Sequence, residues 1–137
     1  MFAPSSRVIA QIAETIAKMH QAGINHPDLT IQNIMILSDP RGKGTISIID
    51  FDGATLRTPL SYEARMRQLR RLDRSFLKWI PKTSRWQTPY IRLRFAATYC
   101  RIVPEMRPFI RVYLRKIKWY LFRYQTGWRL QKGFKVN

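Results

Sequence analysis

Cysteine is almost missing from this chain. A single Cys100 in 137 residues rules out an intrachain disulfide, and without a CxxC or a Cys/His cluster the sequence argues against a zinc site or a stapled secreted scaffold. Acidic side chains are scarce too. Only 8 Asp and Glu stand against 25 Lys and Arg, a net charge of +17, so the expected partner is negatively charged. No run of about 18 apolar residues exists, which removes a transmembrane helix. The opening MFAPSSRVIAQIAETIA is interrupted by Gln11 and Glu14 and is followed by no small-residue cleavage site, against a secretory signal. No Gly/Ser linker, low-complexity tract or repeat divides the sequence, so 1–137 reads as one domain. A cytoplasmic protein, soluble or peripheral at a surface, fits these absences.

What is present is unevenly spread. Residues 1–60 carry 5 basic and 5 acidic side chains, whereas residues 61–137 carry 20 basic and 3 acidic ones. All four Trp and 15 of the 17 aromatic residues also lie in 61–137, which separates this part from a disordered basic tail. The first part has the character of a site, the second that of a basic, aromatic, helical body.

Ser5 or Ser6 caps an expected helix to about Gln21, with Val8, Ile9, Ile12, Ala13, Ile16 and Met19 at helical spacing and Gly23 as its stop. Glu14 and Lys18 sit four apart on its wet face. Ile34–Leu37 and Thr45–Ile49 are short β-prone runs joined by a turn-rich segment, which predicts a hairpin. The chain between helix and hairpin is then a loop. A second helix is expected from Ser61 to Ile80, with Met66, Leu69, Leu72, Phe76, Leu77 and Ile80 inward, Arg67, Arg70, Arg71, Arg74 and Lys78 outward, and Pro81 ending it. Further helices are expected over Tyr90–Ile102 and Pro108–Tyr124.

The loop reads His26-Pro27-Asp28-Leu29-Thr30-Ile31-Gln32-Asn33, and the hairpin leads into Ile48-Ile49-Asp50-Phe51-Asp52-Gly53. Phosphoryl transfer needs an aligned acceptor hydroxyl, a carboxylate to take its proton, and oxygen ligands for magnesium on the phosphates. Asp28, Asn33 and Asp50 match those needs in type, and magnesium favours hard oxygen donors such as an Asn carbonyl and an Asp carboxylate. His26 reads as a neutral imidazole packing the loop near Phe51. For Asp52 a capping carboxylate is favoured over a third metal ligand.

At these residues the sequence resembles the C-terminal lobe of protein-kinase-like phosphotransferases, with their catalytic loop and metal-binding D-F-G in this order. Asp50-Phe51-Asp52, followed by Arg65-x-Arg67-x-x-Arg70-Arg71 and Ser75-Phe76-Leu77-Lys78, narrows the resemblance, over about residues 8–80, to the lipopolysaccharide kinase family of 3-deoxy-D-manno-octulosonic acid and heptose kinases. The resemblance implies an α+β, mainly helical fold: a kinase-like C-terminal lobe with one small β-hairpin and no N-terminal lobe. It also implies ATP and Mg2+ as cofactors and an inner-core sugar of lipopolysaccharide as acceptor, at the cytoplasmic face of the inner membrane. Asp28 would be the catalytic base, and Asn33 and Asp50 the metal ligands. Pro27 departs from the usual Arg of H-R-D, Thr30 from a frequent Lys, and Asp52 from Gly. Only 25 residues precede His26, with no Gly-rich loop and no ATP-positioning Lys. The expectation is weak or absent activity for the chain alone, as a fragment, a truncated or degenerate member of that family, or a half that needs a separately encoded N-terminal lobe as a partner.

Two other functions remain open on sequence. A small-molecule phosphotransferase of the aminoglycoside or choline kinase type uses similar loop segments, although a basic body disfavours a cationic acceptor. A non-catalytic basic module could bind anionic membrane or nucleic acid, though no RNP, GxxG or zinc-finger pattern supports specific nucleic-acid recognition. The Arg67, Arg70, Arg71 and Arg74 face reads as a contact for an anionic glycolipid or membrane surface, against the plainer reading of a solvated helix face. Trp79, Trp86, Trp119 and Trp128 are candidates for a headgroup boundary, against the plainer reading of core aromatics.

Overall fold

A computed structural model describes residues 4–38, 40–41 and 43–117. Helix α1 spans Ser6–Gln21, where the Ser5 hydroxyl accepts the Val8 N–H at 3.3 Å and so satisfies one of the first-turn donors. Its stripe of Ile9, Ile12, Ala13, Ile16 and Met19 is buried. Helix α2, Tyr62–Trp79, repeats the device: the Ser61 hydroxyl accepts the Ala64 N–H at 3.2 Å. Pro81, which cannot continue a helix, follows. After a 3-10 stretch at Lys82–Gln87 comes helix α3, Thr88–Ile102, and then a short 3-10 turn at Pro104–Met106.

Four short strands complete the first unit, Met1–Met106. Strand β2 (Ile34–Ser38) pairs antiparallel with β3 (Gly44–Ile48), with Ile34 opposite Ile48 and Ser38 opposite Gly44, which is the expected hairpin. The presumed loop before it holds more structure than its sequence suggests. Strand β1 (Ile24–Asn25) pairs with β4 (Thr55–Leu56), and Ile31–Asn33 form a 3-10 turn. Two-residue strands carry no readable alternation, so only their pairing reveals them.

The α+β, mainly helical class holds. α1 packs along α3, and Ile9, Phe76, Ile80 and Ile91 from all three helices form one apolar cluster, with Ile31 of the loop and Phe95 against it. Each such side chain contributes about 1.5–3 kcal/mol when taken out of water. A polar seam crosses the same packing: Tyr99 Oη lies 2.6 Å from His20 Nδ1, and the Gln21 amide donates to the Ile102 carbonyl at 2.9 Å. Glu14 pairs with Arg101 of α3 at 3.1 Å, a partner that the expected neighbour Lys18 does not supply.

The second unit begins at Arg107, and its residues 107–117 form helix α4. The remainder of the helix expected over Pro108–Tyr124, together with Trp119 and Trp128, lies outside the described residues. Among the described residues no helix is long and apolar enough to cross a membrane.

Candidate active site

The site is built on one closed excursion of the chain. Gly23, at φ +80, turns out of α1 so that its carbonyl accepts the Arg57 N–H at 2.8 Å. A Cβ there would fall 2.5 Å from the Arg57 carbonyl oxygen, so only glycine fits. The β1–β4 ladder continues this contact, and residues 26–54 therefore leave and return through one narrow neck.

Within the excursion, His26 is fully buried and ties three segments together. Its Nδ1 accepts the Asp28 N–H at 3.2 Å and its Nε2 lies 3.1 Å from the Ile49 carbonyl. Both bonds are met at once by the neutral tautomer carrying its proton on Nε2. The Phe51 ring packs on the imidazole with centroids 4.9 Å apart. The His26 N–H donates to Gln68 Oε1 at 2.9 Å, while the other end of Gln68 donates to Asn25 Oδ1 at 3.0 Å. Leu29, buried completely next to Asp28, anchors the loop from the apolar side.

Asp28 and Asn33 meet directly. Asn33 Nδ2 donates to the Asp28 carbonyl at 2.9 Å and lies 3.4 Å from Asp28 Oδ2. The other carboxylate oxygen, Oδ1, takes the Arg71 Nε–H at 2.9 Å and a second bond from Arg71 Nη2. Both side chains of this ion pair are about half exposed, 50% for Arg71 and 48% for Asp28, so the pair is open to solvent.

Asp50 reaches the same end of the hairpin. The Ile49 N–H bonds the Asn33 carbonyl at 2.9 Å, one rung beyond β2–β3, and Ile49 also holds His26. Asp50 follows at φ +61, a left-handed conformation that Asp adopts more readily than most residues and that is concentrated at functional sites. The turn closes with the Ala54 N–H on the Phe51 carbonyl at 2.9 Å. Gly53 sits beside the loop, where an added Cβ would be 3.5 Å from Pro27 Cγ. Asp50 and Asp52 are both exposed.

Helix α2 backs the whole arrangement along one stripe. Gln68 holds His26, Arg71 holds Asp28, and the Ser75 hydroxyl accepts the Ile31 N–H at 2.9 Å while donating to the Leu72 carbonyl at 2.7 Å. Positions 68, 71 and 75 are spaced three and four apart, so they share a helix face. Arg71 is exposed as expected, but its bond to Asp28 escaped the sequence reading, as did Gln68, for which a glutamine embedded in an apolar stripe was the available signal. Arg67, Arg70 and Arg74 are exposed on α2, whereas Arg65 is buried and paired with Glu105 at 3.0 Å.

Asn33 and Asp50 offer oxygens of the type that magnesium takes. The Asn33 amide nitrogen is spent on Asp28, which leaves its carbonyl oxygen as the available donor atom. Among the described residues no group of three His, Cys, Asp or Glu side chains forms a metal cage by itself.

Three comparisons with known proteins bear on this geometry. The family described as lipopolysaccharide kinase (Kdo/WaaP) matches residues 4–99. A 3-deoxy-D-manno-octulosonic acid kinase of Xanthomonas oryzae pv. oryzae is 46% identical over 65 residues, covering 47% of this chain and 24% of that protein. The corresponding kinase of Stenotrophomonas maltophilia is 41% identical over 83 residues, 59% of this chain and 31% of that protein. The match to the Xanthomonas relative thus spans about a quarter of its length. Among solved structures, WaaP in complex with acyl carrier protein superposes with a TM-score of 0.62 at 24% identity, over 85% of this chain and 49% of that one.

Proposed function

The chain belongs to the lipopolysaccharide kinase (Kdo/WaaP) family, and from that premise we propose that it supplies the acceptor side of a phosphotransferase acting on an anionic sugar of the lipopolysaccharide core, with ATP as donor. The observation that carries this reading is that Asn33 donates to Asp28 while its main-chain carbonyl accepts the Ile49 N–H, so that Asp50, the next residue, starts from the same hairpin end.

Asp28 takes the proton of the acceptor hydroxyl. Its Oδ1 is occupied by two Arg71 donors, so Oδ2, which has only the 3.4 Å contact to Asn33, is the oxygen turned to the acceptor. Asn33 and the His26 bond to the Asp28 N–H fix the carboxylate in place, which removes the entropy of finding that geometry during reaction. Magnesium, held by Asn33 and Asp50, would offset the charge of the phosphate oxygens. Arg71 beside the base gives an acidic acceptor a counter-charge, and the exposed Arg67 and Arg74 extend that field along α2.

The test is incubation with magnesium, ATP and deacylated lipopolysaccharide core, with the chain alone and with the remaining portion of a matched relative supplied in trans. A phosphorylated sugar is expected, and Asp28→Asn lowers its rate by about 10²–10⁴-fold with the fold intact. Undiminished turnover in that variant, or preference for a cationic amine acceptor, would overturn the assignment.

A further inference from the structure

Away from the catalytic loop, α3 has an unusual solvent face. Thr88, Ile91, Thr98 and Tyr99 are buried on one side, yet the opposite side, where polar residues belong, carries Tyr90 at 58% and Leu93 at 62% exposure. Trp86, in the 3-10 stretch that leads into α3, is 77% exposed. Tyr90 and Leu93 are three apart on one face of α3, and Trp86 stands four residues before Tyr90 in the 3-10 stretch that leads into that helix. Leaving a Trp, a Tyr and a Leu together in water is unfavourable, and a contiguous exposed apolar ridge marks a contact surface.

The charge around the ridge selects its partner. Residues 74–104 contain seven basic side chains and no acidic one, and Lys82, Arg85 and Arg94 beside the ridge are exposed. A second copy of this chain is a poor occupant, because each copy brings a net charge of +17. Nucleic acid would use the aromatic rings for stacking but gives Leu93 nothing to bury in. An anionic bilayer accommodates every part: Trp and Tyr at the headgroup level, Leu93 in the acyl boundary, and the cations among lipid phosphates.

We infer that Trp86, Tyr90 and Leu93, framed by Lys82, Arg85 and Arg94, form a docking face for an anionic phospholipid surface. The face does not include Arg71, which holds the catalytic loop. It stands independently of the phosphotransfer reading, and vesicle binding can fail while catalysis survives.

The experiment is flotation of the full chain with vesicles of phosphatidylethanolamine and phosphatidylglycerol, compared with phosphatidylcholine alone. Binding is expected to the anionic vesicles only, weakening as salt rises, and Trp86→Ser with Leu93→Ser should reduce it at least about tenfold. All three ridge positions are exposed, so circular dichroism should be unchanged. Trp86→Phe keeps an apolar side chain and should retain binding while losing the quenching that brominated lipid imposes on Trp86. Unaltered flotation of the double serine variant overturns the inference, as does equal binding to neutral vesicles. Capture of an oligonucleotide without vesicle binding overturns it in favour of nucleic acid. Self-association that disappears in the serine variant, without vesicle binding, overturns it in favour of a second copy.

Discussion

Asp28, Gln68 and His20 show how much the setting of one side chain decides. The carboxylate at 28 is legible in the sequence because Asn33 follows five residues later and Asp50 ends an apolar run. The amide at 68 is not legible, since its value lies in partners at positions 25 and 26 that only the tertiary structure brings near. Gln68→Leu preserves volume but strands the His26 N–H in the interior. The expected loss is about 1–3 kcal/mol of stability, read from urea denaturation. His20 offers a pH test. Burial, reinforced by the Arg65 charge, pushes its pKa down to about 4 from 6.5. Gln68 opposes that shift only in part, because its amide is committed to Asn25 and Ala64 and His20 Nε2 has no partner. The folded chain therefore keeps His20 neutral while the unfolded chain binds a proton below about 6.5. Stability is full above that pH and falls as pH drops toward 4, by on the order of 3 kcal/mol at most. Denaturation midpoints across this window should decline, and His20→Gln should flatten the slope.

At the scale of elements, helices α1 and α2 were readable from periodicity and from Ser5 and Ser61, because local caps and apolar stripes act within a few residues. The hairpin was readable for the same reason. Strands β1 and β4 were not, since two residues cannot show a period and their pairing depends on chain closure over thirty residues. That closure rests on Gly23. Gly23→Ala places a Cβ against the Arg57 carbonyl and forces a residue with an L side chain into the left-handed backbone region. The expected cost is about 2 kcal/mol or more in thermal or urea unfolding. The left-handed Asp50 was equally invisible, as Asp is compatible with many backbone conformations.

Across the whole molecule, the sequence revealed an excess of positive charge but not how its few acids are used. Four ion pairs among the described residues join an arginine to an acid 40, 43, 19 and 87 residues away. Acids that a sequence scan finds missing beside the arginines of α2 arrive from other elements. The least exposed of these pairs is Arg92 with Asp73, at 2.8 and 2.9 Å, with side chains only 12% and 14% exposed. Arg92→Ala leaves Asp73 without this guanidinium between α2 and α3, and about 3 kcal/mol of stability should be lost, measured by calorimetric or urea unfolding. Arg101→Ala, at the exposed Glu14 pair, should cost less than about 1 kcal/mol. The narrow neck formed by Gly23, Arg57 and the paired strands has an evolutionary and practical corollary. A stretch whose two ends already touch can be exchanged as a cassette between relatives, but only into a scaffold whose second helix presents the same glutamine, arginine and serine beneath it.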